Sequence, residues 1–196
     1  MTSSIRLATP ADAAAILKIY APYIENTSLT FETEVPTIES FADRIKNYLE
    51  TWPWLLFEKD GVIGGYAYAT RYRERVAYQW GTESSIYIAD EYKGTGVARA
   101  LYEALFVILK KQGFRNVYAV INLPNDTSVA FHEKCGFTYF ATYEQVGYKL
   151  GKWKNVGWWR LVINDFCDEP GPPVKFSELS KDFLPELFAQ KSGLIR

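Results

Sequence analysis

Three groups of residues in this chain have types and spacings suited to chemistry. The loop Glu91-Tyr92-Lys93-Gly94-Thr95-Gly96-Val97-Ala98 follows a β-type run, Ser85-Ile86-Tyr87-Ile88-Ala89. An apolar helical pattern at Ala98, Leu101, Tyr102, Leu105, Ile108 and Leu109 comes next. A strand, a glycine turn and then a helix present free backbone N–H groups to an anion. Gly94 and Gly96, without a Cβ, let the backbone turn tightly and approach that anion closely. The second group is Arg71, Arg73 and Arg75, which an extended segment would place on one face, ready to hold a carboxylate by forked hydrogen bonds. The third is Glu83, which begins the strand leading to the loop, together with His132, the one histidine of the chain.

Each group also has a plainer explanation. Glycines spaced by one residue ahead of a helix are common turn chemistry. The loop also departs from both standard nucleotide patterns, because Lys93 precedes the first glycine and Arg99 stands where a dinucleotide fingerprint has its third glycine. Glu83 reads equally as a general base or as a strand-end carboxylate paired with Arg73 or Arg75. A lone histidine is more often a structural hydrogen-bonding residue than a catalyst.

Composition narrows the class. At 196 residues, with 48% hydrophobic and 23% charged, the chain suits one globular domain with a full core and a tail. Aromatics reach 16%, which suits a deep ligand pocket or a large subunit interface. A formal net charge of −1 argues against general nucleic-acid binding. No apolar run approaches the roughly 18 residues of a membrane span, and the start, Met1-Thr2-Ser3-Ser4-Ile5-Arg6, lacks a signal-peptide apolar region. The expected location is cytoplasmic. Cys135 and Cys167 give neither a disulfide framework nor metal-ligand spacing, and a single histidine makes a metal site improbable, so no metal is expected.

The elements that must position these groups follow from pattern. Strands are expected over 5–8, 54–59, 62–70, 83–89, 117–122, 137–146 and 157–164. Asp60-Gly61 marks a hairpin, and Gly64-Gly65 a bulge or close packing point. Helices are expected from Pro10 to Pro22 or Asn26, from Thr37 to about Trp52, over 94–112, and over 125–134 with Gly136 closing the last. The order β-α-α-β-β-β-α-β-α-β-β predicts an α/β fold, a mixed α+β sheet with helices on both faces. A domain over 1–168 and a C-terminal extension over 169–196, docked by a short helix, are expected.

The strand–loop–helix at 85–110, then Asn125-x-x-Ser128 and His132-Glu133-Lys134-Cys135-Gly136-Phe137, resembles the GNAT N-acetyltransferases. Four further blocks (72–78, 82–88, 123–128 and 147–157) are similar to the phosphinothricin or methionine sulfoximine acetyltransferase subgroup. The resemblance spans residues 5 to about 166. Glu91 stands where the family carries Gln or Arg ahead of its glycine loop, which would add negative charge near a phosphate.

This resemblance implies the GNAT fold, a central mixed sheet flanked by helices, and direct attack of an amine on the thioester of acetyl-CoA. The acceptor would be the α-amine of phosphinothricin, methionine sulfoximine or methionine sulfone. Other acceptors, a small amine or a protein N-terminus, remain open, as does a non-catalytic acyl-CoA sensor. Glu83 would be the base, and His132 the acid or thiolate-stabilising group, or a shuttle for the substrate proton. Ile86, Tyr87 and Ile88 would pair with the pantetheine arm, and Asn125 and Ser128 would contact it, Asn125 also reading as a helix cap. The backbone of Gly94, Thr95, Gly96, Val97, Ala98 and Arg99 would hold the pyrophosphate. Arg71, Arg73 and Arg75 would bind the acceptor, with Phe31, Tyr78, Lys149 and Trp153 as pocket wall or a neighbouring subunit's contribution. A homodimer is implied, and Trp153, Trp158 and Trp159 suit its interface and the pocket equally.

Overall fold

The computed structural model describes residues 3–195. Seven strands form one sheet: β1 (Ser3–Leu7), β2 (Trp54–Lys59), β3 (Val62–Arg71), β4 (Gly81–Ile88), β5 (Asn116–Leu123), β6 (Thr138–Lys149) and β7 (Lys152–Val162). Their spatial order is β1-β2-β3-β4-β5-β7-β6, and every neighbouring pair is antiparallel except β4 with β5. The expected mixed sheet is thus observed.

Helices α1 (Ala13–Asn26) and α2 (Ile38–Thr51) cover one face. Apolar residues at Ala13, Ile16, Leu17, Tyr20 and Ile24 give α1 a buried stripe at helical spacing. The helix runs through Pro22 to Asn26, the later of the two ends the sequence allows. Thr37 caps α2, its hydroxyl accepting from the Ser40 amide at 3.1 Å. On the other face lie α3 (Val97–Gln112), α4 (Asp126–Lys134) and α5 (Leu184–Ser192). The buried stripe of α3, from Val97 through Ala100, Leu101, Ala104, Leu105 and Ile108, fills the centre of that layer.

The tail is tied down by burial and by polar contacts. Phe176, Leu184 and Leu187 join the α3-side core, and α5 packs on β1 and α3. The Ile5 amide donates to Ser192 Oγ at 2.9 Å, and Lys191 Nζ lies 3.0 Å from Glu103.

Turn chemistry is where the sequence pattern transfers best and where it falls short. Asp60 (φ 49°) and Gly61 (φ 82°) make the expected hairpin turn. Register shifts opposite Gly64, and a Cβ there would lie 2.4 Å from the Tyr92 ring, so this glycine is both bulge and packing point. The expected break between Val146 and Gly157 is not observed. β6 continues to Lys149 and β7 starts at Lys152, joined by a turn at Leu150 (φ 51°) and Gly151 (φ 74°). Leucine is not a turn-forming residue by propensity, which hid this hairpin.

Gly157 sits where β7 crosses the core, and a Cβ there would lie 2.4 Å from the Trp159 ring. That ring is held by its contact with Tyr139 and by Nε1 donating to Glu133 at 3.2 Å. Gly157→Ala is therefore expected to lower stability by about 1–3 kcal/mol. Urea unfolding measures this, and a variant as stable as its parent would show that the ring yields freely.

Candidate active site

The parallel pairing of β4 with β5 covers only Gly81–Glu83 against Asn116–Tyr118. Beyond Glu83 the strands diverge, β4 staying with β3 and β5 with β7. One backbone edge of Ser84–Ile88 is therefore left without a strand partner. The gap opens into a cleft of about 700 Å³ running from Ser84 and Val120 to the glycine loop.

At the loop end, Gly94 and Gly96 adopt φ of 77° and 94°, the left-handed region glycine favours. Thr95 Oγ1 braces the loop by donating to the Tyr92 carbonyl at 2.6 Å. The first backbone hydrogen bond of α3 runs from the Ala100 amide to the Gly96 carbonyl, so the amides of Val97, Ala98 and Arg99 are the unspent donors of its first turn. The Val97 side chain is fully buried and offers only its backbone. Lys93 and Arg99 line the mouth, each paired with a carboxylate, Asp90 and Glu103 respectively. Glu91 is exposed in the preceding turn.

Next to the other end, one residue before Ser84 and outside the residues that line the cleft, Glu83 is half-buried on β4 between Thr70 of β3 and Tyr118 of β5. Burial pushes its carboxyl up from 4.5 to about 7, while the charge of Arg73 pulls the other way. Among the described residues no ion pair within 4.0 Å holds Glu83. The strand-end ion pair that the sequence left open is therefore not formed.

His132 is buried on α4, with Nδ1 2.8 Å from the Ser128 carbonyl and Nε2 3.0 Å from the Tyr102 hydroxyl. A carbonyl only accepts, so Nδ1 carries the proton and Nε2 accepts from Tyr102. Burial lowers the imidazole pKa, with the Ser128 carbonyl opposing it. Ser84 Oγ in turn donates to the Tyr102 oxygen at 3.3 Å. Asn125 caps α4, Oδ1 accepting from the Ser128 amide at 3.1 Å. Its two readings, cap and cleft residue, hold together, since Asn125, Ser128 and His132 all line the cleft.

Several expected site residues lie elsewhere. The extended segment expected to align the three arginines is not formed, because β3 ends at Arg71 and the chain bends before the short 3-10 turn Val76–Tyr78. Arg73 alone acts on Glu83, its guanidinium 5.1 Å from the Tyr72 ring and 5.6 Å from the Trp158 ring. Tyr78 borders a separate hollow with Tyr72, Trp80 and Tyr118. Phe31 lies against Gly147, where a Cβ would be 2.5 Å from its ring. Lys149 is buried, with Nζ donating to the Thr30 carbonyl at 2.8 Å, which ties β6 to the loop after α1. Trp153 is 62% exposed near the β6–β7 turn, whereas Trp159 is in the core and Trp158 sits beneath Tyr72, Tyr143 and Arg73. Tyr102 and Ser84 were missed by sequence reasoning. Tyr102 falls on the apolar stripe of α3 and reads as core, and no spacing signal links it to His132.

Comparison with known proteins agrees with this geometry. The family model described as acetyltransferase (GNAT) domain matches residues 5–158. The chain is 41% identical over 169 residues to a phosphinothricin N-acetyltransferase of Streptomyces viridochromogenes, covering 86% of this chain and 90% of that one. It is 30% identical to an L-methionine sulfoximine/L-methionine sulfone acetyltransferase of Salmonella typhimurium, over 83% and 95% of the two chains. The crystal structure of a phosphinothricin acetyltransferase from Sinorhizobium meliloti in complex with acetyl-CoA superposes with a TM-score of 0.80 at 28% identity, over 90% and 99%.

The raised carboxyl of Glu83 makes stability depend on pH. Between 4.5 and about 7 the folded protein holds a proton on Glu83 that the unfolded chain has lost. Stability therefore falls as pH rises through that window and this part of the loss is complete above it. Glu83→Gln removes the loss, so the variant should gain stability relative to wild type between pH 4.5 and 7 and hold the gain at pH 8. Urea midpoints at these pH values check it, and a pH-independent difference would show that Glu83 ionises normally.

Proposed function

The chain belongs to the GNAT acetyltransferases, and on that premise we propose that it transfers acetyl from acetyl-CoA to the α-amine of a small amino-acid analogue. The proposed acceptors are phosphinothricin, methionine sulfoximine and methionine sulfone, the compounds named for its relatives. One observation carries the reading. The cleft has an anion cradle at one end and, near the other, a carboxyl held at about 7 by burial.

The residues fit acetyl-CoA by shape and donor type. The pyrophosphate would take the loop and first-turn amides at Gly94–Arg99. The pantetheine amides would pair with the open edge of Ile86–Ile88 as an added strand, with Asn125 and Ser128 alongside. When bound, acetyl-CoA supplies an activated acyl carbon, so a free amine needs no covalent enzyme intermediate. Glu83 takes the ammonium proton, directly or through water, and its raised pKa suits that role near neutral pH. His132, with Tyr102, serves the sulfur side.

Arg73 is the arginine proposed to hold the acceptor's carboxylate, because it alone acts on Glu83. Lys149 and Phe31 contribute indirectly by fixing the loop after α1. The protein is proposed to act as a homodimer through the β6–β7 side, where Tyr139, Phe140, Tyr143 and Trp153 are largely exposed.

Purified protein should acetylate methionine sulfoximine with release of free thiol. Glu83→Gln should lower kcat by about 10²–10⁴ while leaving acetyl-CoA affinity within about twofold, as expected for a group that acts in the transition state. Acetyl-CoA binding without turnover on any small amine would instead mark a binding protein.

A further inference from the structure

The hydrogen bonds around His132 have a direction. Nδ1–H is committed to the Ser128 carbonyl at 2.8 Å, and that carbonyl has no proton to give. In the neutral ring Nε2 is then an acceptor, and the group 3.0 Å away is the Tyr102 hydroxyl, so Tyr102 donates. Its hydrogen being spent, the Tyr102 oxygen receives one from Ser84 Oγ at 3.3 Å. This last contact is long for O–H···O, as apo catalytic contacts often are. Ser84 and His132 are buried, Tyr102 is 1% exposed, and all three line the cleft. The rings packed round the imidazole are Tyr102, Phe131 and Phe137, and no charged side chain is among them. A buried chain of three polar groups threaded through aromatic rings is costly unless it is fully paired, and here each link is paired in one sense.

We propose that Ser84, Tyr102 and His132 form a proton relay whose resting hydrogen bonds all run in one sense, from Ser84 toward His132, so that His132 first receives a proton and later returns it. The proposal rests on the acetyl-transfer reading. The amine lone pair forms the C–N bond at the acyl carbon while the carbonyl π pair moves to oxygen, leaving a proton surplus on nitrogen. That proton passes to Ser84 Oγ, the Ser84 proton to Tyr102, and the Tyr102 proton to His132 Nε2. When the carbonyl re-forms, the C–S bonding pair leaves with sulfur, and the same three transfers run backwards to place the proton on the thiolate. The relay ends as it began, and the one net proton is that taken by Glu83 and lost to water. In this scheme Ser84 touches the reacting groups, and Tyr102 acts through its neighbours as a positioning and relay residue.

Because the chain has one histidine, nitrogen-15 NMR of the imidazole in the free protein reads its tautomer without any acceptor. The expected result at pH 7 is a neutral ring with the proton on Nδ1, and a shift of Nε2 in Tyr102→Phe, which keeps the ring packing and removes the hydroxyl. With whichever amine the wild-type protein acetylates, Tyr102→Phe should lower kcat at least about tenfold and leave the KM for acetyl-CoA within about twofold. The double variant Tyr102→Phe/His132→Gln should be no slower than His132→Gln alone, since both cut one path. Should Tyr102→Phe fold poorly, Ser84→Ala cuts the relay at its cleft end and should give the same kcat loss. A proton on Nε2, a charged imidazole at pH 7, or wild-type kcat in both single variants would each overturn the relay. Failure to acetylate any amino-acid analogue would overturn only the acceptor, leaving the tautomer result to decide the relay.

Discussion

The site depends on one constraint, that β4 and β5 cannot stay paired. β5 is drawn along β7 over its whole length, from Asn116 against Val162 to Leu123 against Asn155, whereas β4 follows β3 to Ile88. Sheet twist separates strands that have different outer partners, and here the shared register stops at Glu83. An edge that would be a liability on the surface of a sheet instead faces an internal slot. The cradle at Gly94–Gly96, the α4 cap and the cleft itself take their places around that slot.

Strand alternation then assigns the chemistry to two faces. Neighbouring side chains point to opposite sides, so Ser84 meets Tyr102 under α3 while Glu83 points to the side that carries α1 and α2. Glu83 and Ser84 are therefore adjacent in sequence but lie on opposite faces of the sheet. Burial acts on both sides of the sheet, raising the Glu83 carboxyl to about 7 and lowering the His132 imidazole.

Rigidity comes from the aromatic excess. Trp54, Tyr66, Tyr68 and Tyr87 stack across β2, β3 and β4, and Tyr20 and Tyr23 meet Tyr87 edge-on from α1. The Tyr23 hydroxyl donates to the Ile88 carbonyl at 2.8 Å, fixing the end of β4 just before the loop. Much of the aromatic content expected to form a pocket or an interface thus backs the cleft wall instead. Of the exposed remainder, Tyr139, Phe140, Tyr143 and Tyr148 lie on β6 and Trp153 at the tip of β7.

The sequence by itself determined the strand–loop–helix at 85–112, the α4 cap at Asn125, the Asp60-Gly61 hairpin and the order of elements, because each is a local matter of periodicity, capping or glycine conformation. It also determined the family, through blocks whose residues stand at fixed spacing. It did not reveal that the chain leaves β3 at Arg71, ahead of Arg73 and Arg75, since where β3 ends is set by its pairing with β4 and not by propensity. Nor did it show Lys149 reaching Thr30, Trp153 turning outward, or Tyr102 giving its hydroxyl to His132. The two hydrogen bonds join residues 30 and 119 positions apart, and only the packing of α3 and α4 against one sheet, and of β6 against the loop after α1, brings their atoms within hydrogen-bonding distance.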